Sequence, residues 1–197
     1  PIDTEVYPGV PIVEELTLLN EIGTPVSVVL TPVKLDLTNA ESGRASFLLD
    51  TAETPSVAWI SVDPSQLVLD PGESRIVRVT LSAPAASAGS LTAGIATEFR
   101  PVRSDEEGDV ILNAITGPFV FARVLSDDSV IAGHLSSFRF AEGAKWASSI
   151  PVDVEVSFAN TGTVHLKPLG TIDVRNMFGR SVDQLAVNHE LATVLSG

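Results

Sequence analysis

The sequence predicts an all-β fold, on three observations. Val, Ile and Thr recur along the chain, and no window keeps helical periodicity free of Pro or Gly for long. The 13 Pro and 14 Gly are spread rather than clustered, as many short strands joined by turns require. Two stretches carry runs that alternate between apolar and polar residues, "SRIVRVTLSAP" from Val77 to Leu81 and "IPVDVEVSF" from Val152 to Phe158. At 197 residues, with 44% hydrophobic and 19% charged residues, the chain can bury a core without metals or crosslinks, and its composition excludes a disordered tail.

Taken in order, "IDTEVYPGV" and "PIVEELTLLN" read as two short strands around Pro8-Gly9. "NEIGTP" (20–25) is a turn. "VSVVLTPVKLDLT" (26–38) is a long strand that Pro32 interrupts, which predicts a bulge or an edge position. The polar stretches 39–47 and 50–56 read as loops. Trp59 to Val62 is a strand stopped by Asp63-Pro64, and Gln66–Leu69 is another. Asp70-Pro71-Gly72-Glu73 places Pro and Gly at the central positions of a type II turn. Beyond it, Val77, Val79 and Leu81 face one side of a strand, and Arg78 and Thr80 the other. "LTAGIATEFRPV" (91–102) and "VILNAITGPFVFARVL" (110–125) form a hairpin around the acidic loop "RSDEEGD", and "SDDS" (126–129) reads as a linker. In "IPVDVEVSF", Ile150, Val152, Val154, Val156 and Phe158 point inward, with Asp153, Glu155 and Ser157 outward. Asn160-Thr161-Gly162 is then a three-residue hairpin turn with Gly at the left-handed position.

An internal echo divides the chain. "LTLLNEIGTPVSV" (16–28) and "VSFANTGTVHL" (156–166) share one scheme of alternating strand, Asn, short turn, Gly-Thr and strand. Two copies fit two immunoglobulin-like β-sandwiches in tandem, 1–126 and 127–197, each using this hairpin in the same role. The second domain is expected to be truncated at its C-terminal end, since "QLAVNHELATVLSG" stops where a sandwich still needs an edge strand. An open edge is a template for another strand, so either the polypeptide continues past Gly197 and closes its own sheet, the expected outcome, or another chain supplies the strand by β-strand augmentation.

Those stretches carry a family resemblance. "YPGVPIVEELTLLN", "WISVDPSQLVLDPGESRIVRVTLSAP" and "AGSLTAGIATEF" resemble the first domain of the WxL-interacting surface proteins of bacteria, relatives of PapD-like modules. "IPVDVEVSFANTGTVHLKPLGTIDVRNMFGR" resembles the immunoglobulin-like domain that follows it in such proteins. The resemblance implies export, an anchor outside this segment, and binding to peptidoglycan or to partner surface proteins. PapD-like chaperones hold a subunit's terminal carboxylate with basic residues, one of them on the first strand. "PIDTEVYPGV" has no basic residue, a departure from that pattern.

The chemistry in the sequence is sparse. With 25 acidic and 12 basic residues the net charge is −13, which repels nucleic acid and anionic headgroups. No cysteine is present, so disulfides, Cys-ligated zinc and thiol nucleophiles are excluded. No apolar run reaches the ~18–20 residues that span a bilayer, and nothing at the start reads as a signal peptide, so a processed segment is expected. Asp105, Glu106, Glu107, Gly108 and Asp109 form a carboxylate-rich tip without the ligand spacing of a calcium loop, and read as a solvated hairpin tip. Asp127-Asp128 reads as a polar linker rather than a cation bridge. His134, His165 and His189 stand 31 and 24 residues apart, outside any metal-pair spacing, and no G-x-S-x-G elbow occurs. Trp59 reads as packing. Trp146 is either a ligand contact or a lid over the second core. No catalytic, cofactor or metal residues are assigned. The expected function is a non-enzymatic, extracellular binding or structural module at the cell surface. Its rivals are a carbohydrate-binding module, for which Trp146 and Tyr7 supply aromatic surface, and a periplasmic PapD-like assembly chaperone.

Overall fold

A computed structural model describes residues 1–38, 45–49, 57–102, 114–140 and 153–196. Its elements are fourteen strands: β1 (Ile2–Val6), β2 (Ile12–Leu19), β3 (Val26–Asp36), β4 (Ser46–Leu48), β5 (Ile60–Asp63), β6 (Gln66–Leu69), β7 (Ser74–Leu81), β8 (Gly89–Pro101), β9 (Ala114–Thr116), β10 (Phe119–Val124), β11 (Gly133–Phe140), β12 (Val154–Asn160), β13 (Gly170–Arg175) and β14 (Ser181–Val187). The chain falls into two compact units, 1–87 with 91–126, and 88–90 with 127–197.

In the first unit a seven-stranded sheet runs β1-β10-β8-β3-β4, with β6 also on β3 and β9 also on β8. A three-stranded sheet runs β2-β7-β5. The alternation read from the sequence sets the faces. Val77, Val79 and Leu81 of β7 are fully buried, while Arg78 is exposed opposite Glu15 of β2. They pack with Val26, Val28, Leu30, Leu69, Ile95 and Val120 of the larger sheet, and Trp59 closes the core at 5% exposure. Burying each such branched side chain contributes about 1.5–3 kcal/mol.

Pro32 departs from the expectation of a bulge or an edge. Strand β3 lies inside the sheet and keeps an unbroken register with β8 through Pro32 and Ile95. The Leu30 N–H donates to Ser65 O on the β6 side. By strand alternation the Pro32 nitrogen points to that same side. There β6 has ended at Val29 and β4 begins only at Lys34. Among the described residues the missing donor therefore faces a gap in the ladder. Past this point the buried positions change face, to Val33 and Leu35, where Phe47 lies over Gly94 and meets Phe119 edge-on at 5.4 Å.

The Asp70–Glu73 turn takes the type II form. Gly72 has φ 74° and the Glu73 N–H donates to Asp70 O at 2.9 Å. The stretch read as one strand over 110–125 is broken: β9 and β10 are separated by Gly117-Pro118, where a Cβ at Gly117 would meet Ile95 O at 1.9 Å.

In the second unit β11 pairs antiparallel with β12, and β13 with β14. Among its described residues the buried side chains are Val164 and His165.

Candidate functional site

The echoed segments are corners rather than hairpins. In the first unit the corner at Asn20 carries the chain from β2 in one sheet to β3 in the other. Asn20 is buried and fully engaged. Its Oδ1 accepts from the Ile22 N–H at 2.9 Å, and its Nδ2 donates to Thr24 O and Leu69 O, both at 3.0 Å. Asn160 repeats this pattern. Its Oδ1 accepts from the Gly162 N–H at 3.0 Å, and its Nδ2 donates to Val164 O at 2.8 Å and Val194 O at 3.1 Å. The carbonyl reached across space has the same address in both. Leu69 is the antiparallel partner of Val26, six residues after Asn20, and Val194 is the partner of Leu166, six residues after Asn160. Gly162 is not in the left-handed region, contrary to the expectation from the sequence. Glycine is needed there because a Cβ would meet Val130 O at 2.2 Å.

The two corners differ in what the preceding strand touches. Strand β2 is covered by β7 along its whole length, from Ile12↔Leu81 to Leu19↔Ser74. Among the described residues β12 has one ladder partner, β11. The Thr161 N–H donates towards that partner, to Ala132 O at 3.0 Å. By alternation the N–H groups of Val154, Val156, Phe158 and Asn160 point to the other edge. The side chains of Val154, Val156 and Phe158 are only half-buried, and Leu135 and Phe138 of β11 are each 55% exposed. The outer face carries Glu155, held by Arg139 of β11 at 2.7 Å. The hydrogen bond from Arg139 and its charge set the Glu155 carboxyl below the usual carboxylate range.

The β13–β14 hairpin ends in a tip built on Asn176, whose Oδ1 accepts from the N–H groups of Phe178 and Arg180. It presents Met177 and Phe178 at 90% and 85% exposure. At its base the Ser181 hydroxyl, and then Arg175, hold the Asp173 carboxyl below its usual range.

The residues singled out from the sequence scatter. Tyr7 is exposed at 55% beside Val10. Asp127 and Asp128 are exposed, as is His134, and His189 lies 3.8 Å from Glu190 at the surface. His165 is buried in the second unit. The Ser90 Oγ accepts from its backbone N–H at 2.5 Å and lies 3.0 Å from its Nδ1, tying segment 88–90 into that unit. No motif in the sequence marks this pair, whose members lie 75 positions apart. Among the described residues no group of three metal-ligating side chains forms. The acidic tip 105–109, Trp146, Ile150 and Val152 lie outside the described residues.

No family model matches the chain, and no curated protein matches it. Solved structures do. The chain is similar to a chaperone–tip adhesin complex described as vital for synergistic activation of CFA/I fimbriae biogenesis. The identity is 15% and the TM-score 0.51, over 100% of this chain and 80% of that one. It is similar in the same measure to the class 5 fimbriae chaperone CfaA, at 16% identity and TM-score 0.51, over 100% and 80% of the two chains. The fold is PapD-like. Both immunoglobulin-like sandwiches of that architecture are covered, and the all-β expectation holds. Within this PapD-like frame the first strand is acidic. Asp3 and Glu5 of β1 lie 3.8 and 3.7 Å from Arg123 of the neighbouring β10. A basic residue is thus present beside the first strand, and two carboxylates face it.

Proposed function

We propose that this chain is a non-enzymatic, exported protein-binding module that holds an extended segment of a partner by adding it to a sheet as a strand. An assembly chaperone works in this mode. The observation that carries the reading is the two-sandwich fold, shared over the whole chain with a chaperone–tip adhesin complex and a fimbriae chaperone. Main-chain hydrogen bonds supply affinity in strand addition, and alternate side chains supply selectivity. The similarity in fold to a chaperone that holds a tip adhesin supports the same mode. Non-enzymatic action is part of the proposal. The carboxyl groups with lowered pKa, at Asp36, Glu73, Glu155 and Asp173, owe it chiefly to hydrogen bonds made within turns or between paired strands.

The finer assignment to WxL-interacting proteins, with attachment at the bacterial surface, rests on the strand-and-turn stretches quoted above. The acidic β1 speaks against capture of a terminal carboxylate there. The test is to incubate the protein with a library of ten-residue peptides and, separately, with insoluble peptidoglycan. Binding of extended, alternating apolar peptides without peptidoglycan sedimentation is the expected result. Sedimentation with peptidoglycan and no peptide binding would replace this reading with a cell-wall one.

A further inference from the structure

The β13–β14 hairpin ends in a turn that holds two large apolar side chains in solvent. Met177 and Phe178, at 90% and 85% exposure, are the most exposed large apolar residues among those described. Val182 joins them at 60% exposure, from the bulge where the ladder slips between Val174 and Arg175. The turn itself requires neither Met177 nor Phe178. It requires Asn176, whose Oδ1 accepts from the Phe178 and Arg180 N–H groups, and Gly179, which has φ 76°. Turns in water favour short polar residues at such positions.

The main chain of the tip is closed on itself. The Asn176 N–H donates to Arg180 O and the Gly179 N–H to Asn176 O, both at 2.9 Å. Together with the two bonds to Asn176 Oδ1, the N–H groups of Asn176, Phe178, Gly179 and Arg180 all have acceptors inside the turn. These donors keep their partners when the tip leaves water, which is the condition an apolar medium imposes on a backbone. Charge points the same way. Residues 174–182 contain Arg175 and Arg180 and no carboxylate, in a chain of 25 acidic and 12 basic residues. Asp173, nearer the base of the hairpin, pairs with Arg175 at 2.6 Å.

We infer that this tip is a lipid-contacting knob, whose Met177, Phe178 and Val182 enter the interfacial region of a bilayer while Arg180 and Arg175 meet lipid phosphates. The inference goes beyond strand addition and is independent of it. An apolar end flanked by cations matches an interface in which phosphates overlie hydrocarbon. The arginine stems lie along the apolar surface and their heads stay at the phosphate level. Net charge selects the lipid. At −13 the chain is repelled by a strongly anionic surface, so a zwitterionic one fits. At physiological salt, charges farther from the surface than about 8 Å are largely screened. A single small apolar anchor gives reversible contact.

Flotation of the full chain with phosphatidylcholine vesicles at physiological salt tests the knob. The protein should float with the vesicles, and Phe178→Asp should cut the bound fraction about fivefold or more. Ile76→Asp, on the exposed face of β7, should float as the unaltered chain does. Met177 carries the only sulfur in the chain, so oxidation supplies a readout without a substitution. Hydrogen peroxide passes one oxygen to the thioether and leaves as water, and the polar sulfoxide should lower flotation about threefold. Unchanged melting temperatures would show that the altered forms remain folded. No flotation of the unaltered protein would overturn the lipid contact and leave the tip to an apolar pocket on another protein. Equal flotation of the unaltered, Phe178→Asp and oxidised forms would overturn the site.

Discussion

At the residue scale the structure is organised by two asparagines. Each uses both ends of its amide, and no other side chain offers an acceptor and two donors in that compact form. Asn20→Ala leaves Leu69 O and Thr24 O without this donor in a buried place, and should cost about 1–3 kcal/mol in urea unfolding. Asn160→Ala should act in the same direction but less strongly, since Asn160 is only half-buried. A loss confined to one of the two corners would contradict their equivalence. Val79→Asp places an unpaired carboxylate at a fully buried site and should unfold the first unit, because the cost of several kcal/mol matches a small domain's stability. Arg78→Asp, exposed on the other face, should keep the fold, and equal loss in both would contradict the register. The asparagines were visible in the sequence as an echo, and so was the β7 alternation. The reason for Gly162 was not, because close approach to Val130 O comes from a segment 32 positions upstream.

At the element scale, strands with one polar face were legible and their neighbours were not. Alternation states which side chains share a face, but not which strand lies beside which. Hence β3 was expected to bulge at Pro32 or to lie at an edge, whereas it lies within the sheet with the imide nitrogen turned to the gap between β6 and β4. In the same way the Asn20 and Asn160 turns look like hairpins in sequence, although the chain leaves the Asn20 turn in a different sheet. The β11–β12 pair allows a pH test. Glu155 is held below its ordinary value of 4.5 by the hydrogen bond from Arg139 and then by its charge. A carboxyl with a lowered folded-state pKa stabilises fully above its unfolded value, and that contribution fades as pH falls through the folded one. The melting temperature of the second unit should therefore drop on acidification below the ordinary value of 4.5, and the drop should be smaller in Glu155→Gln. An identical pH profile in the variant would show that the pair contributes nothing.

At the scale of the whole molecule, composition and turn chemistry sufficed for the fold class. The all-β class follows from scattered Pro and Gly, β-branched residues and alternating runs, and the division into two sandwiches from the echoed Asn segments, while the PapD-like form entered only through the resemblance. Far-UV circular dichroism should show a β spectrum, and helix above about a third of residues would contradict it. The assignment of segment 88–90 to the second unit was not legible, since it depends on Ser90 meeting His165 across 75 positions. Function was less legible still. Strand addition uses main-chain groups that every residue possesses, so the sequence marks such a site only by the absence of a covering strand. The most direct test is amide hydrogen exchange, followed by NMR, on the full chain with and without an extended, alternating apolar peptide captured from the ten-residue library. The account predicts that alternate amides along one strand slow markedly on binding while the amides between them change little. No slowing of any strand amide, or slowing spread evenly along a strand, would contradict it.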